Sequence, residues 1–416
     1  MGIGVELALQ EINSKLKVAI IGGGIGGLSA ALCLSGYGIE VKVYEQSSSL
    51  RQDGAGVVLW NHATLVLRSL GLETDLLSLG CVLNRGDVRN QSGSELASFS
   101  LSALSKDTQK TPVLGIRRSA LLKLLSKHLS PDVISYNKKV TNFEQTTKGV
   151  NIFFQDTSLE RADIVIGVDG IHSSIRKILH QEKPRYAGYV GYQGIASLDT
   201  SILGHGVANW FMGRGSQFGI IPVGSKDVYW FGTINCPEKA IPSLVNSKKV
   251  LRSNFSAWAK PILELVDSLE QDQIVQTPIY DYPPRLEWGR GRVTLLGDAA
   301  HATTPTFGHG ACLAIESAAV LSAALGQKNL DTEPLVKALR TYEKNRQFKT
   351  RGIINHSWLL GRILQSKNRI LEQLMNGILF LAPNQWLLAG LRRSIADDFL
   401  VNLMTQKDKQ FGSADE

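Results

Sequence analysis

The chain has 416 residues, of which 43% are hydrophobic, so it is long enough for two or three domains with a substantial core. The formal net charge of +8 is modest for this length, and Lys and Arg are spread along the chain, which argues against nucleic-acid binding. The four cysteines are widely separated without a CxxC pair. We therefore expect reduced thiols in a cytoplasmic protein, with no disulfide or zinc framework.

Membrane and export signals are not evident in the sequence. No run of about 18 apolar residues occurs, so we expect no transmembrane segment. Residues 1–14 contain Glu6 and Glu11 and do not show the cationic start and apolar core that are typical of a signal peptide.

The first predicted element is a buried parallel strand at 18–21, which runs directly into the pattern Gly22-x-Gly24-x-x-Gly27. Small residues at 28–34 predict a helix after it. Glycines are required where a pyrophosphate approaches backbone N–H groups at a helix N-terminus, because a Cβ atom would block the approach. A second predicted strand ends at Glu45, about 20 residues further on, where a carboxylate can bind ribose hydroxyls. Together these features predict a dinucleotide site rather than a structural glycine turn.

The middle of the chain alternates between two types of pattern. Residues 81–111 are rich in Ser, Gly and Asn and predict short antiparallel strands, whereas the leucine-rich segment after Gly115 predicts a helix with Arg118 in its first turn. The pieces around 140–154 alternate as a hairpin does, and the apolar run 162–168 predicts another parallel strand. The pattern therefore predicts that the chain leaves a nucleotide domain and returns to it.

A second change of pattern follows. Aromatic-rich strands separated by Gly, Pro and Asn predict an antiparallel sheet over 186–283 with one face toward a cavity. Residues 291–297 return to the parallel-strand pattern and stop at Asp298, and a helix follows at 310–325. From Leu335 onward the period is helical.

The predicted fold class is α/β, α+β overall: a Rossmann-like, doubly wound dinucleotide-binding domain interrupted by an antiparallel-sheet domain, with C-terminal helices. The predicted dinucleotide-binding domain is discontinuous and the antiparallel-sheet domain has two pieces. The boundaries are 15–80, 112–182 and 284–345 for the dinucleotide-binding domain, 81–111 and 183–283 for the antiparallel sheet, and 346–416 for the helical region.

Three ordered motifs carry a family resemblance. They are Gly22-x-Gly24-x-x-Gly27, Asp169-Gly-Ile-His-Ser-Ser-Ile-Arg176 and the 14-residue stretch from Gly297 to Gly310, GDAAHATTPTFGHG. This set resembles the single-component FAD monooxygenases of the para-hydroxybenzoate hydroxylase class, with most likeness to the urate hydroxylase and zeaxanthin epoxidase-like branch. The resemblance implies FAD contacts from Gly22, Gly24, Ile25, Gly26, Gly27, Glu45, Gln46, Val58, Arg118, Val140, Asp169, Asp298, Pro305, Gly308, His309, Gly310, Ala311 and Cys312.

The resemblance also implies an activity. FAD would take electrons from NADH or NADPH as a transient donor, react with O2 and pass one oxygen through a flavin C4a-hydroperoxide to a small aromatic, heterocyclic or polyene substrate. Residues 308–312 would present a helix N-terminus to the pyrimidine end of the flavin, where reduced flavin carries negative charge.

Two features depart from the family pattern. The usual Gly-Gln-Gly of the flavin loop is Gly308-His309-Gly310 here. The urate hydroxylase branch contacts its substrate with an Asn, an Arg and a Tyr, whereas the aligned positions here hold Gly191, Gln217 and Tyr229. We expect these three residues to contact the substrate, with Tyr229, Gln217 and His309 as the candidates for catalytic roles. Uric acid is therefore not the expected substrate.

Several residues also have a simpler interpretation. Asp169 and Asp298 could cap the helices that follow them, and Arg176 could be an exposed arginine. His301 and His309 have no acidic or cysteine partner at ligand spacing, so we expect no metal site.

Two other functions remain open from the sequence. A reductase or dehydrogenase of the same superfamily would share the glycine motifs, and a non-catalytic carrier could use the same scaffold. We expect a small-molecule substrate and a monomer or homodimer. The segment around 378–386 could touch a membrane surface if the substrate is lipophilic, although packing on the sheet or on a second copy is the simpler interpretation.

Overall fold

The computed structural model describes residues 16–50, 55–104, 111–198, 203–241, 247–326 and 332–411. The segment 1–14, for which the sequence predicts no signal peptide, lies outside these residues. In the described part the strands are, in chain order, β1 (Lys17–Ile21), β2 (Glu40–Tyr44), β3 (Gly56–Leu59), β4 (Cys81–Leu83), β5 (Arg85–Asn90), β6 (Glu95–Ser100), β7 (Val113–Arg117), β8 (Ile134–Ser135), β9 (Val140–Thr146), β10 (Gly149–Phe154), β11 (Leu159–Ala162), β12 (Ile164–Gly167), β13 (Arg185–Ser197), β14 (Val207–Gly213), β15 (Ser216–Pro222), β16 (Asp227–Asn235), β17 (Val275–Asp281) and β18 (Val293–Leu295).

The α-helices of the described part follow the same numbering. They are α1 (Ile25–Ser35), α2 (Asn61–Ser69), α3 (Glu73–Leu79), α4 (Arg118–Lys127), α5 (Ser174–His180), α6 (Ser247–Phe255), α7 (Lys260–Ser268), α8 (Asp298–His301), α9 (Gly310–Leu325), α10 (Thr332–Leu364), α11 (Arg369–Leu381), α12 (Asn384–Ile395) and α13 (Asp398–Phe411).

A parallel five-stranded sheet positions the dinucleotide motif. Its order is β18-β12-β1-β2-β8, so β1 is central and the connections run outward on both sides of it. The strands are buried on both faces, which explains their continuous apolar sequences. Helices α1 and α9 pack on each other beside this sheet. In such a sheet, ligands bind at the carboxyl ends of the strands where the winding reverses, which here is the end of β1 next to β12.

The second large sheet has seven strands in the order β17-β13-β16-β15-β14-β5-β6. Its strands pair antiparallel except for β14 and β5, which are parallel. Side chains alternate across the sheet, and one face packs on α6 and α7 through Phe218, Trp230, Phe255 and Leu265. The opposite face is therefore left for other contacts.

A small sheet, β3-β7-β4, lies beside that opposite face. A Cβ atom placed on Gly56 in β3 would be 2.3 Å from the Cβ of Tyr229 in β16, so the two strands touch here. Strand β4 hydrogen bonds along β7, with Cys81 opposite Gly115, and β5 is the first strand to join the seven-stranded sheet. The strand pairing thus differs slightly from the predicted start of the substrate sheet at residue 81, because β7 offers β4 an antiparallel edge before the chain crosses over.

The remaining sheet, β11-β10-β9, contains the predicted hairpin around 140–154. The C-terminal helices follow the long helix α10. A buried Arg346 in α10 forms ion pairs with Glu316 of α9 and Asp397, at 2.9 Å and 2.6 Å, which fixes α10 on the first domain. The predicted fold class, a Rossmann-like doubly wound domain interrupted by an antiparallel sheet and followed by helices, is confirmed.

Candidate functional site

The three glycines of the first motif have three different physical reasons to be glycine. Gly22 has φ +113°, and a Cβ there would be 2.5 Å from the carbonyl oxygen of Val168. A Cβ on Gly27 would lie 1.9 Å from the carbonyl oxygen of Gly22, so this glycine permits close packing of helix on strand. A Cβ on Gly24 would meet no atom within 4 Å. Gly24 therefore borders open space at the N-terminus of α1, which fits an approaching phosphate group.

Glu45 stands beside this turn at the end of β2. One carboxylate oxygen accepts a hydrogen bond from the Gly23 N–H at 2.7 Å, and the other accepts from the Ser47 N–H at 2.8 Å. These bonds fix the carboxylate, and each oxygen keeps a lone pair for another donor. This is the arrangement expected for a group that binds sugar hydroxyls.

A cavity of about 160 Å³ opens at this edge of the parallel sheet. Seven of the predicted cofactor residues line it together, and further residues outside the three motifs also line it, among them Leu50, Lys138 and Lys139. The seven are Gly22, Gly24, Glu45, Gln46, Arg118, Val140 and Asp169. The other three predicted residues of the first motif lie in α1, where Ile25 is buried in the core and a Cβ on Gly26 would contact Ala314 of α9.

Asp169 caps the helix that follows it, which was the simpler interpretation from the sequence. Its carboxylate accepts hydrogen bonds from the Ser173 hydroxyl and, at 2.6 Å, from the Ser174 N–H. Burial raises the pKa of Asp169, while these hydrogen bonds act in the opposite direction. Because Asp169 also lines the cavity, capping and cofactor contact are compatible.

Arg176 is buried, not exposed. Its guanidinium donates to the carbonyl oxygens of Ala299 and Ala300 at 2.9 Å and 3.1 Å and to Glu182 at 2.7 Å, and it stacks on the ring of Tyr282. The second sequence motif therefore holds the backbone of the third.

The third motif forms a loop that ends at the N-terminus of α9. Gly308 has φ +63°, and a Cβ on Gly310 would lie 3.7 Å from the Oδ1 atom of Asp298. Asp298 has protein around it but its side chain is open to solvent; partial loss of hydration raises its pKa, and the positive charge of Arg118 partly offsets this. Asp298, Pro305 and Gly308 are exposed, and the first turn of α9 (Gly310, Ala311, Cys312) carries the N–H groups that a helix leaves unpaired.

Trp60, at the end of β3, covers this loop and was not predicted from the sequence. Its ring stacks on His309 at 5.5 Å between centroids, and its Nε1–H donates to the Phe307 carbonyl at 3.2 Å. The Cys312 thiol bonds to the same strand, since it accepts from the Trp60 N–H and donates to the Val58 carbonyl. Burial raises the pKa of Cys312 to about 12, so this thiol stays protonated.

His309 is buried, and both of its ring nitrogens have no hydrogen-bond partner within the described part of the chain. Burial lowers its pKa to about 4, so the imidazole is neutral at pH 7. Buried polar atoms normally have a hydrogen-bond partner. The neutral ring can donate one hydrogen bond from its N–H and accept one at its other nitrogen.

The three predicted substrate residues share one face of the seven-stranded sheet. Gly191 and Gln217 both pair with Thr233, and Tyr229 follows on the same face of β16. The Tyr229 hydroxyl donates to Gln193 at 3.1 Å, and the Gln217 carbonyl accepts from Trp210 Nε1 at 3.0 Å. Neither Gln193 nor Trp210 was singled out from the sequence, because each becomes part of the site only through strand pairing.

An apolar cluster joins this face to the flavin-loop region. Tyr229 and Phe231 from the sheet pack in one cluster with Val58 and Trp60 of the β3 segment. Within the described ranges, no group of three or more His, Cys, Asp or Glu is placed to hold a metal ion. The aromatic-lined face therefore adjoins the loop at the N-terminus of α9, and Arg118 of the dinucleotide cleft acts on Asp298 of the same motif.

Comparison with known proteins places this chain in a family. The family model described as an FAD binding domain matches residues 15–357. The chain is 32% identical over 359 residues to the aurachin C monooxygenase/isomerase of Stigmatella aurantiaca, covering 86% of this chain and 92% of that protein. It is 33% identical over 346 residues to the FAD-dependent urate hydroxylase of Klebsiella pneumoniae subsp. pneumoniae, covering 82% and 88%.

Solved structures agree with this placement. The Klebsiella pneumoniae HpxO structure, complexed with FAD and uric acid, has a TM-score of 0.85 and 30% identity, covering 91% of this chain and 96% of that one. A salicylate hydroxylase substrate complex shares the fold, with a TM-score of 0.76 at 22% identity over 94% of this chain and 98% of that one. The chain therefore belongs to the family of FAD-dependent monooxygenases.

Proposed function

We propose that the protein is an NAD(P)H-dependent FAD monooxygenase that uses O2 to hydroxylate or epoxidise a small aromatic, heterocyclic or polyene substrate. The observation that carries the proposal is that the His309 loop adjoins the sheet face at Tyr229 through Trp60, while Asp298 of the same motif feels the charge of Arg118, which lines the cleft. Trp60 packs in the same cluster as Tyr229 and stacks on His309, so this loop adjoins the aromatic face. A cofactor that reaches from the cleft to the loop would present its reactive end to that face.

The residues present fit FAD. The open space at Gly24 would take the pyrophosphate, Glu45 the adenosine ribose, and the first turn of α9 the pyrimidine edge. Arg118 and Asp298 would face polar groups of the flavin along the cleft. When bound, FAD supplies electron transfer from the nicotinamide and the activation of oxygen. The sequence contains no second Gly-x-Gly-x-x-Gly after a strand, so NADH or NADPH would bind without a Rossmann domain of its own.

The polar side chains on the sheet face would orient the substrate. Burial raises the pKa of Tyr229, so its phenol stays protonated, and because its O–H is given to Gln193 its oxygen can accept a hydrogen bond. Trp210 fixes the Gln217 carbonyl, which makes the amide NH2 the donor that would meet a substrate oxygen. The neutral His309 can hold a proton on one nitrogen and accept at the other.

The substrate of this chain would differ from uric acid. Two of the three positions that carry the substrate contacts in the urate hydroxylase branch are changed to Gly191 and Gln217. Gly191 offers no side-chain polar group, and the Gln217 side chain has no charge. Loss of a buried polar contact leaves a group unsatisfied at a cost of about 1–3 kcal/mol.

We assign cofactor binding to the domain of the parallel sheet and substrate binding to the domain of the seven-stranded sheet. We assign FAD binding to 15–80, 112–182 and 284–345, and substrate binding to 81–111 and 183–283. We assign 346–416 to a separate C-terminal region. The four scattered cysteines, which form no disulfide, support a reducing, cytoplasmic location.

Two measurements on the purified full-length chain test this proposal. Its visible absorption spectrum should show flavin bands, and denaturation should release FAD. A panel of phenols, heterocycles and polyenes should then contain compounds that stimulate oxidation of NADH or NADPH. A protein that cannot be reconstituted with FAD, or one that no panel member stimulates, would contradict the proposal.

A further inference from the structure

The helix pair α11 and α12 exposes an apolar surface that the proposed reaction does not use. In α11, Ile370, Leu374, Ile378 and Leu381 recur at helical spacing and are 76%, 58%, 51% and 79% exposed. The neighbouring Phe380 and Trp386 are 69% and 74% exposed. These six are part of the fourteen exposed large hydrophobic side chains in the described part of the chain, and they are concentrated within residues 370–386. Such a concentration is typical of an interaction surface.

The opposite side of the same helix pair packs on the substrate sheet. Leu379 and Leu387 pack against a cluster that includes Ala97 and Met212. Leu388 and Leu391 of α12 belong to the cluster that contains Trp60 and Tyr229. Helix α12 therefore contacts the cluster at the proposed substrate site, and the neighbouring α11 carries most of the exposed surface.

The charges around this surface have one predominant sign. Residues 373–391 contain no ionisable side chain. The flanks hold Lys367, Arg369, Arg392 and Arg393; the acidic residues there are Glu372, Asp398 and Asp397, and Asp397 is ion-paired with Arg346. Lys367, Arg369 and Arg393 are exposed, and Arg392 donates to the Ala103 carbonyl. Cations at the edge of an apolar surface complement anionic lipid headgroups, and an exposed Trp such as Trp386 suits the level between headgroups and acyl chains.

The geometry favours a helix pair that lies in the membrane surface. No single helix of the described residues is long and apolar enough to cross a bilayer, and α11 has 13 residues. Helices α11 and α12 together are long and apolar enough to cross a bilayer, but they are bent by 104° at their junction. A short amphipathic helix of this kind buries its apolar side in the headgroup region.

We propose that the outward face of α11 and α12 docks on the anionic surface of a lipid bilayer and admits a lipophilic substrate from it. Docking on the bilayer does not depend on the proposed function. The inference that the substrate is lipophilic rests on the proposed function. The inward face, through Leu388 and Leu391, packs in the same apolar cluster as Tyr229 and so connects this surface to the proposed substrate site.

The test is flotation of the FAD-loaded full-length protein with vesicles of phosphatidylglycerol and phosphatidylcholine, compared with phosphatidylcholine alone. We expect binding to the anionic vesicles that is at least about tenfold stronger. An apolar variant should lose at least about tenfold in binding. That variant combines Ile370→Ser, Leu374→Ser and Phe380→Ser. Its matched control changes three exposed leucines elsewhere: Leu77→Ser, Leu79→Ser and Leu159→Ser.

Charge and depth are tested separately. Lys367→Gln, Arg369→Gln and Arg393→Gln should weaken binding to anionic vesicles, whereas the same change at exposed Lys148, Lys226 and Lys239 should weaken it less. Brominated acyl chains should quench part of the tryptophan emission, and Trp386→Phe should remove that quenching. Each variant is first shown to keep its FAD content and its unfolding midpoint.

Three outcomes would overturn docking. The first is that the parent protein does not bind vesicles. The second is that the apolar variant and its control lose vesicle binding equally. The third is a concentration-dependent dimer that the apolar variant abolishes, in the absence of vesicle binding, which would assign the surface to a second copy. Vesicle binding by a protein that oxidises no NAD(P)H with any panel compound would leave docking standing and refute the proposed function instead.

Discussion

Trp60 and His309 stack with their ring planes 18° apart, although they come from opposite ends of the proposed FAD-binding region. The Trp60 Nε1–H is bonded to Phe307, and the Trp60 backbone N–H is bonded to Cys312. Trp60 therefore forms hydrogen bonds both to the loop before α9 and to the first turn of α9. The ring of His309 is held by its aromatic contacts with Trp60 and Phe307, since it makes no hydrogen bond to the described residues.

Replacing Trp60 should separate its two contributions. Trp60→Phe keeps a ring on His309 but removes the hydrogen bond to Phe307, with an expected loss of about 1 kcal/mol in the free energy of unfolding. Trp60→Ala removes the packing as well and should cost about 3–5 kcal/mol. Urea unfolding measures both. Equal losses for the two variants would show that the ring does not support the loop.

The buried histidines predict how stability depends on pH. Burial lowers the pKa of His309 to about 4 and that of His301 to about 3, whereas an unfolded histidine titrates near 6.5. Below pH 6.5 the unfolded chain binds protons that the folded chain does not, so stability present above that pH is lost as the pH falls. We expect a loss of about 2 kcal/mol per histidine between pH 6.5 and 5.

Urea unfolding over that pH range, with and without His309→Gln, measures this effect. The variant should show a shallower dependence on pH. His205→Gln, at an exposed histidine, is the control and should not change the slope. An identical slope in the His309 variant and the parent would contradict the assigned burial of that ring.

Two glycines of the first motif should respond differently to the same methyl group. Gly24→Ala adds a Cβ to open space, so we expect stability within about 1 kcal/mol of the parent protein and FAD affinity weakened at least about tenfold. Gly27→Ala places a Cβ on the Gly22 carbonyl, and we expect it to impair folding. FAD titration and thermal unfolding measure the pair. Unchanged FAD affinity in Gly24→Ala would contradict phosphate binding at this turn.

The Tyr229 hydroxyl should matter for substrate and not for FAD. Tyr229→Phe leaves the Gln193 side chain without its donor and removes the phenolic oxygen, so we expect kcat/KM to fall by about tenfold, or 1.4 kcal/mol, with unchanged FAD affinity. Tyr192→Phe is the matched control, because Tyr192 is buried on the opposite face of the same sheet. Steady-state kinetics with a substrate from the panel measure this. An equal fall in both variants would show that the effect is structural.

Local patterns explain what the sequence predicted well. The glycines and Glu45 lie within one β-α-β unit, so their relation depends on strand and helix geometry that a short stretch already encodes. The exposed apolar spacing of α11 could also be read from the sequence.

Contacts between distant segments explain what the sequence did not predict. Trp60 follows an ordinary apolar strand, and nothing in its neighbourhood indicates that it packs on a loop near residue 309. Gln193 and Trp210 become partners of Tyr229 and Gln217 only through the registers of β13, β14, β15 and β16. Arg176 is buried because the backbone of α8 supplies carbonyl acceptors for it.

Product mass under ¹⁸O2 tests the central claim most directly. The FAD-loaded protein is given NADH or NADPH, ¹⁸O2 and a panel compound that stimulates nicotinamide oxidation, and the product is examined by mass spectrometry. Monooxygenation predicts a product that contains one ¹⁸O atom derived from O2. A product that gains hydrogen and no label would identify a reductase, and nicotinamide oxidation that yields only labelled hydrogen peroxide would contradict oxygen transfer by this protein.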